Sequence, residues 1–384
     1  MWLSTGNGRG LPLLFRRTLR CRKKLFLPML TIVPRRAFLQ TVTTLLAGTC
    51  LPAQSLLAGT REAAEGTIMT VGGPIAPQDL GFCLPHEHVL SRFGAPPEEP
   101  ADFDSETVQR EVVPYLEYLR ELGIGAVADC TAYSFGRAPE LLRQLSDASG
   151  LHLITNTGYY GAADDRYVPA EAYQLEAGEI ASRWIAEFNA GIGGTGIRPG
   201  FVKTAVDAGP LSPIDAKLVR AAALTHRATG LSLAIHTGDN PGAARQQLDI
   251  LAEEGVSPEA WTWTHAQNVS DPAPLIDAAG RGAWISLDGV NTPYFQDGRR
   301  QGGDTLDRHF RHLMALRGAG LLDRVLLSHD GSTYPPDLTA RRPMDIIPNT
   351  FLPMLRAGGL SEAEIEQLTV GNPTRYFTVQ LRLQ

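Results

Sequence analysis

The chain has 384 residues, of which 43% are hydrophobic and 20% are charged, a globular composition that excludes a disordered or collagen-like chain. The net charge of -6 is unevenly distributed, because residues 1–36 carry nine Arg or Lys and the first acidic residue is Glu62. The rest of the chain holds 26 basic residues against 41 acidic ones. An acidic body of this kind indicates no nucleic-acid partner.

A basic N-terminal extension, residues 1–60, precedes the part of the chain that shows a regular folding pattern. It contains the pair Arg35 and Arg36 in a context that resembles a twin-arginine export signal, and small residues near Ala58 offer a cleavage site. The mildly apolar stretch between them is too short and too polar to predict a membrane span. We therefore expect the twin-arginine machinery to export the folded protein to the periplasm. A basic tail with a chance arginine pair is the alternative.

Two of the four cysteines, Cys83 and Cys130, lie outside this extension. Each sits in an apolar, strand-like run. Two cysteines do not form a disulfide framework, so we expect buried free thiols.

From residue 67 to residue 384, short β-branched runs alternate with helical stretches in eight successive units. The predicted strands are residues 80–86, 124–130, 151–157, 200–206, 231–236, 261–265, 283–288 and 324–330. The predicted helices between them are residues 104–122, 138–149, 171–189, 213–229, 241–254, 271–279 and 306–317. Eight such units predict an α/β fold, a closed (β/α)8 TIM barrel. A doubly wound open sheet is the alternative, but it would place a glycine-rich loop after the first strand, where this chain has Pro85 and His86.

Histidines are concentrated at the ends of the predicted strands. His86 and His88 lie two residues apart at the end of the first strand, so their imidazoles can share one face. His236 and His265 end the fifth and sixth strands, and Asp330 ends the eighth. Because barrel enzymes build their active sites at the carboxyl ends of the strands, these residues predict a metal site with nitrogen and oxygen ligands. Imidazoles that only form hydrogen bonds within the core are the alternative.

Lys203 lies in the apolar fourth strand. A buried ammonium group is costly unless it is paired or neutralised. Reaction with carbon dioxide would turn it into an anionic carbamate, whose two oxygens could bridge two metal ions. A lysine that extends its ammonium group to the rim of the barrel is the alternative.

Six segments carry a resemblance to a known family: residues 79–89, 200–203, 235–237, 264–265, 327–330 and 371–377. In their order and content they resemble the phosphotriesterase family of the amidohydrolase superfamily, which includes the phosphotriesterase-like lactonases. The resemblance runs from about residue 71 to residue 377. It covers nearly the whole chain after the basic extension.

The resemblance implies two divalent metal ions at the carboxyl-terminal face of the barrel. By this resemblance, His86, His88 and Asp330 hold the buried ion. His236 and His265 hold the exposed ion, and Lys203, carboxylated by carbon dioxide, bridges the two. Zinc is the expected metal, and nitrogen and oxygen ligands also admit manganese, cobalt or iron. A hydroxide bridging the two ions is the implied nucleophile, and Asp330 is the implied catalytic residue that relays its proton.

The residues that would bind the substrate are less clearly marked. Tyr160 matches a tyrosine that faces the metal centre in the lactonase branch, although simple packing in its loop is the alternative. After the seventh strand, the chain has Asp288 followed by Gly289, where the lactonases have an arginine. Asp288 is a candidate partner of a metal ligand or a structural residue. We do not assign acyl-homoserine lactones, since the loop at residues 332–345 also lacks a lipophilic run.

We expect a binuclear metal-dependent hydrolase of lactones or other esters, with promiscuous organophosphate triesterase activity. The alternative is a hydrolase of amides or phosphorylated sugar lactones, for which four arginines would supply positive charge: Arg299, Arg300, Arg341 and Arg342. A non-catalytic exported binding protein is a further alternative, against which the intact set of ligand residues argues. The expected partner is a small-molecule substrate, and relatives in the family suggest a homodimer.

Overall fold

The computed structural model describes residues 66–97, 102–296, 299–334 and 342–384, all within one compact unit. The predicted export signal, with Arg35 and Arg36, lies outside the described residues, as does Arg341. The side chains of residues 294–301, which include Arg299 and Arg300, are likewise outside the description. Among the described helices, none is both long and apolar enough to cross a membrane.

Strands and helices alternate along the chain, close to the predicted ranges. The strands are β1 (Ile68–Thr70), β2 (Gly73–Ile75), β3 (Phe82–Leu90), β4 (Ile124–Asp129), β5 (His152–Ile154), β6 (Asn156–Thr157), β7 (Phe201–Ala205), β8 (Ser232–His236), β9 (Trp261–Thr264), β10 (Trp284–Leu287), β11 (Tyr294–Gln296), β12 (Arg299–Gln301), β13 (Val325–Leu327) and β14 (Ser332–Tyr334). The α-helices are α1 (Ser105–Glu121), α2 (Pro139–Ser149), α3 (Ala177–Ala190), α4 (Pro213–Thr229), α5 (Pro241–Glu253), α6 (Ala273–Gly280), α7 (Leu306–Gly318), α8 (Leu352–Ala357), α9 (Glu362–Glu366) and α10 (Asn372–Phe377).

The parallel strands follow one another in the order of a barrel. One sheet has the order β14-β3-β4-β5, and the other has the order β13-β10-β9-β8-β7-β6. The third strand is divided between the two sheets as β5 and β6, and the eighth is divided as β13 and β14. Main-chain hydrogen bonds from Asp330 to His86 (3.1 Å) and from His88 to Gly331 (2.8 Å) tie the eighth strand to the first.

Capping residues explain where the helices begin and end. Before α4, Ser212 accepts a hydrogen bond from the backbone of Asp215, whose carboxylate accepts one from the backbone of Ser212 in return. Gly230 ends α4 in the left-handed conformation (φ 80°). These signals are local, and α4 accordingly spans the residues that the sequence predicts.

Two layers of apolar side chains hold the strands in place. Inside the barrel, small residues and a few aromatic rings pack together: Cys83, Ala126, Ala128, Cys130, Phe201, Ala234 and Trp284. Between the strands and the helices, the alternate residues of the same strands pack outwards: Val127, Leu153, Val202, Leu233 and Ile235. This alternation places Lys203 and His236 on the inner face. Cys83 and Cys130 are buried free thiols, as expected.

Candidate metal centre

A cavity of about 490 Å³ lies at the carboxyl ends of the strands. Its lining includes the seven residues that the sequence predicts for the site: His86, His88, Tyr160, Lys203, His236, His265 and Asp330. Six further residues complete the lining: Ser91, Phe93, Phe135, Gly302, Ser332 and Arg342. The fold therefore brings together all the predicted site residues, although the ligand roles themselves are a proposal.

One candidate ligand group is formed by two strands that lie side by side. His86 Nε2 lies 3.5 Å and His88 Nε2 lies 3.3 Å from Asp330 Oδ1. The ligand atoms of these three residues lie within 4.8 Å of one another. Such a spacing allows one cation to contact all three.

The other ring nitrogen of each of three imidazoles contacts an oxygen outside the cavity. Asp288, at the end of β10, lies 3.2 Å from His86 Nδ1 and 2.7 Å from His265 Nδ1. Thr131 Oγ1 lies 2.8 Å from His88 Nδ1. Partners of this kind fix the orientation of a ligating imidazole and leave its Nε2 lone pair for a metal ion. Asp288 therefore acts as a partner of two imidazoles, one of the two roles that the sequence leaves open.

Asp288 is itself held by residues of the neighbouring strand end. Its carboxylate accepts hydrogen bonds from the backbone of His265 (3.1 Å) and from Gln267 Nε2 (3.1 Å), and it is completely buried. Asp288 also forms a candidate metal group with His86 and His265. Because its oxygens already contact both Nδ1 atoms, the geometry favours a supporting role over direct ligation.

Burial lowers the pKa of three of the imidazoles, those of His86, His88 and His236, and so favours the neutral form that metal ligation requires. Burial and then the nearby Lys203 lower the pKa of His86 to about 4. Burial and then His265 hold the pKa of His236 well below its ordinary range. His265 behaves differently, because burial alone would lower its pKa but the Asp288 carboxylate raises it above the ordinary value. Binding of a cation to His265 would release that proton.

Asp330 is an ionised carboxylate. Its burial favours the neutral form, but Arg342 and then His88 hold its pKa well below the usual range. Arg342 Nη1 donates to Asp330 Oδ2 at 2.6 Å, which leaves Oδ1 facing His86 and His88. The side chain of Arg342 is 38% exposed and reaches the cavity from the loop after the eighth strand.

Lys203 lies at the centre of the cluster. It is 1% exposed, and its Nζ lies 3.3 Å from His86 Nε2. Within the described part of the chain, no carboxylate forms an ion pair with it. An unpaired buried ammonium group is costly, whereas a carbamate would place negative charge among the imidazoles.

The second pair of imidazoles lies beside a tyrosine. The rings of His236 and His265 are 4.4 Å apart, and the Tyr160 hydroxyl lies 3.1 Å from His236 Nδ1. Gly158 makes this position reachable: its φ is +125°, and a Cβ there would lie 2.0 Å from the Lys203 carbonyl oxygen. Only glycine allows the loop to pass so close to β7.

Two of the proposed ligands have strained backbones. His265 has φ 60° and Asp330 has φ 52°, in the left-handed region. Each such residue costs about 1–3 kcal/mol, and such strain is concentrated at functional sites. The alternation of residues along a strand does not predict this left-handed backbone.

Two aromatic residues of the cavity, Phe93 and Phe135, were not predicted from the sequence, and with Tyr160 they form an aromatic wall. Phe93 and Phe135 lie 5.5 Å apart, and their rings lie 5.9 Å and 5.2 Å from the ring of Tyr160. Tyr167 packs behind Phe93 at 5.2 Å. These residues follow the first three strands, but their spacing in the sequence carries no pattern that could have revealed them.

Comparisons with known proteins agree with this geometry. The profile of the Phosphotriesterase family matches residues 66–377. An aryldialkylphosphatase of Saccharolobus solfataricus is 26% identical over 315 residues, which cover 79% of this chain and 97% of that protein. An N-acetyltaurine hydrolase of Rattus norvegicus is 25% identical over 356 residues, which cover 82% and 98% of the two chains.

A solved structure supports the fold. The organophosphorus hydrolase of Deinococcus radiodurans superimposes with a TM-score of 0.71 and 30% identity, covering 82% of this chain and 97% of that one. This likeness confirms the predicted α/β barrel. The family match, together with the histidine and aspartate groups at the strand ends, shows that the chain belongs to the phosphotriesterase family of metal-dependent hydrolases.

Proposed function

We propose that this protein hydrolyses small carboxylic esters or lactones, and phosphotriesters promiscuously, with two divalent cations held at the strand ends. One observation carries the proposal: four imidazoles, a carboxylate and a buried lysine line one cavity. The donor set fits divalent cations, because His86 and His88 direct nitrogens at Asp330 while their other nitrogens have oxygen partners. Zinc is the metal that we expect, and manganese, cobalt or iron would suit the same donors.

The proposed division of ligands follows the family resemblance, and the close grouping of His86, His88 and Asp330 supports it. His86, His88 and Asp330 would hold the buried cation, and His236 and His265 the exposed one. Lys203 would bridge them as a carbamate. Such cations polarise a carbonyl or phosphoryl oxygen and make water nucleophilic near neutral pH.

The side chains then direct the reaction. Asp330 is an ionised carboxylate in the cavity, and it would accept the proton released from the attacking water. Asp288 would hold the imidazoles of His86 and His265 in place. Tyr160, whose hydroxyl lies 3.1 Å from His236 Nδ1, would contact the substrate at the exposed cation.

The shape of the cavity supports a substrate with an apolar group. Phe93, Phe135 and Tyr160 form a continuous aromatic wall that can pack against an acyl or aryl substituent. The related aryldialkylphosphatase and organophosphorus hydrolase carry names that refer to esters of this general kind.

A metal analysis and a substrate screen test the proposal. The purified protein, supplied with bicarbonate and Zn²⁺, is expected to hold two zinc ions per chain and to hydrolyse members of a panel of lactones, carboxylic esters and phosphotriesters. Lys203→Ala is expected to lose binuclear binding and turnover together. Fewer than one metal ion per chain, or full activity in this variant, would contradict the proposal.

A second candidate is a hydrolase of anionic amides or lactones. The observation that favours it is Arg342, whose guanidinium group lines the cavity beside Asp330. An arginine there suits a carboxylate, sulfonate or phosphate on the substrate. The N-acetyltaurine hydrolase of Rattus norvegicus is named for an amide. Matched substrates with and without an anionic group would distinguish the two candidates.

Export through the twin-arginine pathway is also part of the proposal, and it rests on Arg35 and Arg36 in residues 1–60. Residues 67–384 would then be the hydrolase domain that is exported. A reporter fused after residue 65 is expected to reach the periplasm. A Lys-Lys replacement of the pair should keep it in the cytoplasm, and export that survives this replacement would contradict the assignment.

A further inference from the structure

Glu87 lies between His86 and His88 in the sequence, but its side chain forms hydrogen bonds with residues of the neighbouring eighth strand. It is completely buried. Its Oε1 accepts hydrogen bonds from Ser328 Oγ (2.7 Å) and from the backbone of His329 (3.0 Å). Its Oε2 accepts one from the backbone of Gly331 (2.6 Å). Glu87 therefore holds the residues on both sides of Asp330.

The histidine beside Asp330 strengthens this attachment. The backbone of Ile347 donates to His329 Nε2 at 3.0 Å, so the ring proton is on Nδ1. His329 Nδ1 then donates to Glu87 Oε1 at 2.7 Å. The His329 ring thus links Glu87 to the main chain of Ile347, in the segment after Arg342.

Close packing shows that the contact is built into the fold. A Cβ at Gly331 would lie 2.7 Å from Glu87 Oε2 and 2.5 Å from Met344 Cγ. Any other residue at position 331 would push the carboxylate away. Ser328 also accepts a hydrogen bond from the backbone of His86 (3.0 Å), which joins the two strands again.

Of residues 328–331, Asp330 is the one that lines the cavity. Its left-handed backbone (φ 52°) needs support from its neighbours. Its backbone donates to the His86 carbonyl, and the Gly331 carbonyl accepts from His88. With Glu87 in place, the direction of the Asp330 carboxylate is set before any cation binds.

We propose that Glu87 is a positioning residue that aims the Asp330 carboxylate and thereby sets the affinity of the cation shared by His86, His88 and Asp330. The inference rests on the proposed function. The cation at His236 and His265 has no such dependence, because Glu87 touches neither residue.

Calorimetric titration of the metal-free protein with Zn²⁺ in bicarbonate tests the inference. In Glu87→Gln, the amide NH2 faces a hydrogen-bond donor in either orientation, since both carboxylate oxygens accept. We expect one of the two zinc affinities to fall about 10- to 100-fold, the usual effect of removing a residue that supports a ligand. The other affinity should change less than about threefold. Titration with Co²⁺ should show an altered visible absorption spectrum for the weakened site.

Two further variants separate positioning from a general loss of structure. Asp215→Asn changes another fully buried carboxylate, at the start of α4, and should leave both zinc affinities unchanged. Glu87→Asp keeps the charge but shortens the reach, and it should fall between wild type and Glu87→Gln. The wild type failing to bind zinc would overturn the proposed function. Two wild-type affinities in a folded Glu87→Gln protein, or equal weakening of both sites, would overturn the role of Glu87 alone.

Discussion

Arg342 and Asp330 form a close ion pair (2.6 Å) in the lining of the cavity. Two hydrogen bonds between the backbones of Arg342 and Ser332 (both 3.0 Å) fix the main chain of Arg342 against β14. The main chain of Arg342 is therefore anchored to β14, and its guanidinium group extends from there to Asp330. An anionic group on a substrate would share this guanidinium with Asp330.

Arg342→Gln tests whether this residue selects anionic substrates. A hydrogen bond to a charged group contributes about 1.5–3 kcal/mol, so we expect KM for an anionic ester to rise about 10- to 100-fold. KM for the matched neutral ester should stay within about threefold. Steady-state kinetics on the pair measures this difference, and Arg356→Gln, which removes an exposed ion pair with Glu362, is the control. Equal changes for both esters would argue against anion selection.

The site was only partly predictable at the level of single residues. The pattern of strand ends predicts five of the six proposed ligands, because the carboxyl ends of parallel strands meet at one rim. The sixth, Lys203, is proposed from its place in an apolar strand and from the family resemblance. The contacts of Asp288 with both His86 and His265 could not be predicted from the sequence, because the three residues come from three different strands. Arg342 is one of the four arginines that the sequence offers for an anionic substrate, but its ion pair with Asp330 depends on the folded structure.

At the scale of elements, the third strand differs from its prediction in being divided. The sequence predicts one strand over residues 151–157, whereas the structure has β5 and β6, which pair with different sheets. The following turn at Gly158 passes close to β7 and delivers Tyr160 to the cavity. By contrast, α4 matches its prediction because Ser212 and Gly230 mark its ends locally.

Gly158→Ala tests the importance of that turn. The new Cβ would lie 2.0 Å from the Lys203 carbonyl oxygen, and φ is +125°. We expect a loss of about 3 kcal/mol in the free energy of unfolding, measured by urea denaturation. Gly178→Ala is the control: it lies in α3 with nothing within 4 Å, and it should stabilise the protein by about 0.5–1 kcal/mol. A neutral Gly158→Ala would show that the loop can move away from β7.

At the scale of the whole molecule, buried histidines away from the cavity link stability to pH. His226 is completely buried; its Nδ1 donates to the Leu231 carbonyl, and its Nε2 accepts from the backbone of Arg382. Burial lowers its pKa from 6.5 to about 4. Asp129 acts in the opposite direction, since burial raises its pKa to about 7.

The sign of the histidine effect follows from proton binding. Between pH 6.5 and pH 4, the unfolded chain binds a proton at His226 that the folded protein does not, so stability falls as the pH falls. Each such group contributes a slope of up to about 1.4 kcal/mol per pH unit. In His226→Gln, the free energy of unfolding should depend less steeply on pH by about this amount. Urea denaturation at pH 7, 6 and 5 measures both slopes, and identical slopes would contradict the prediction.

The left-handed backbones at His265 and Asp330 restrict how the donor set could be redesigned. Outside glycine, Asn, Asp and His are the residues most often found in that conformation. The two proposed metal ligands are thus among the residue types that this backbone conformation favours. A cysteine introduced at either place to bind a softer metal would add the strain of a left-handed backbone, about 1–3 kcal/mol. Exchanges among histidine, aspartate and asparagine would fit the backbone at these two positions best, and such side chains suit hard and borderline cations.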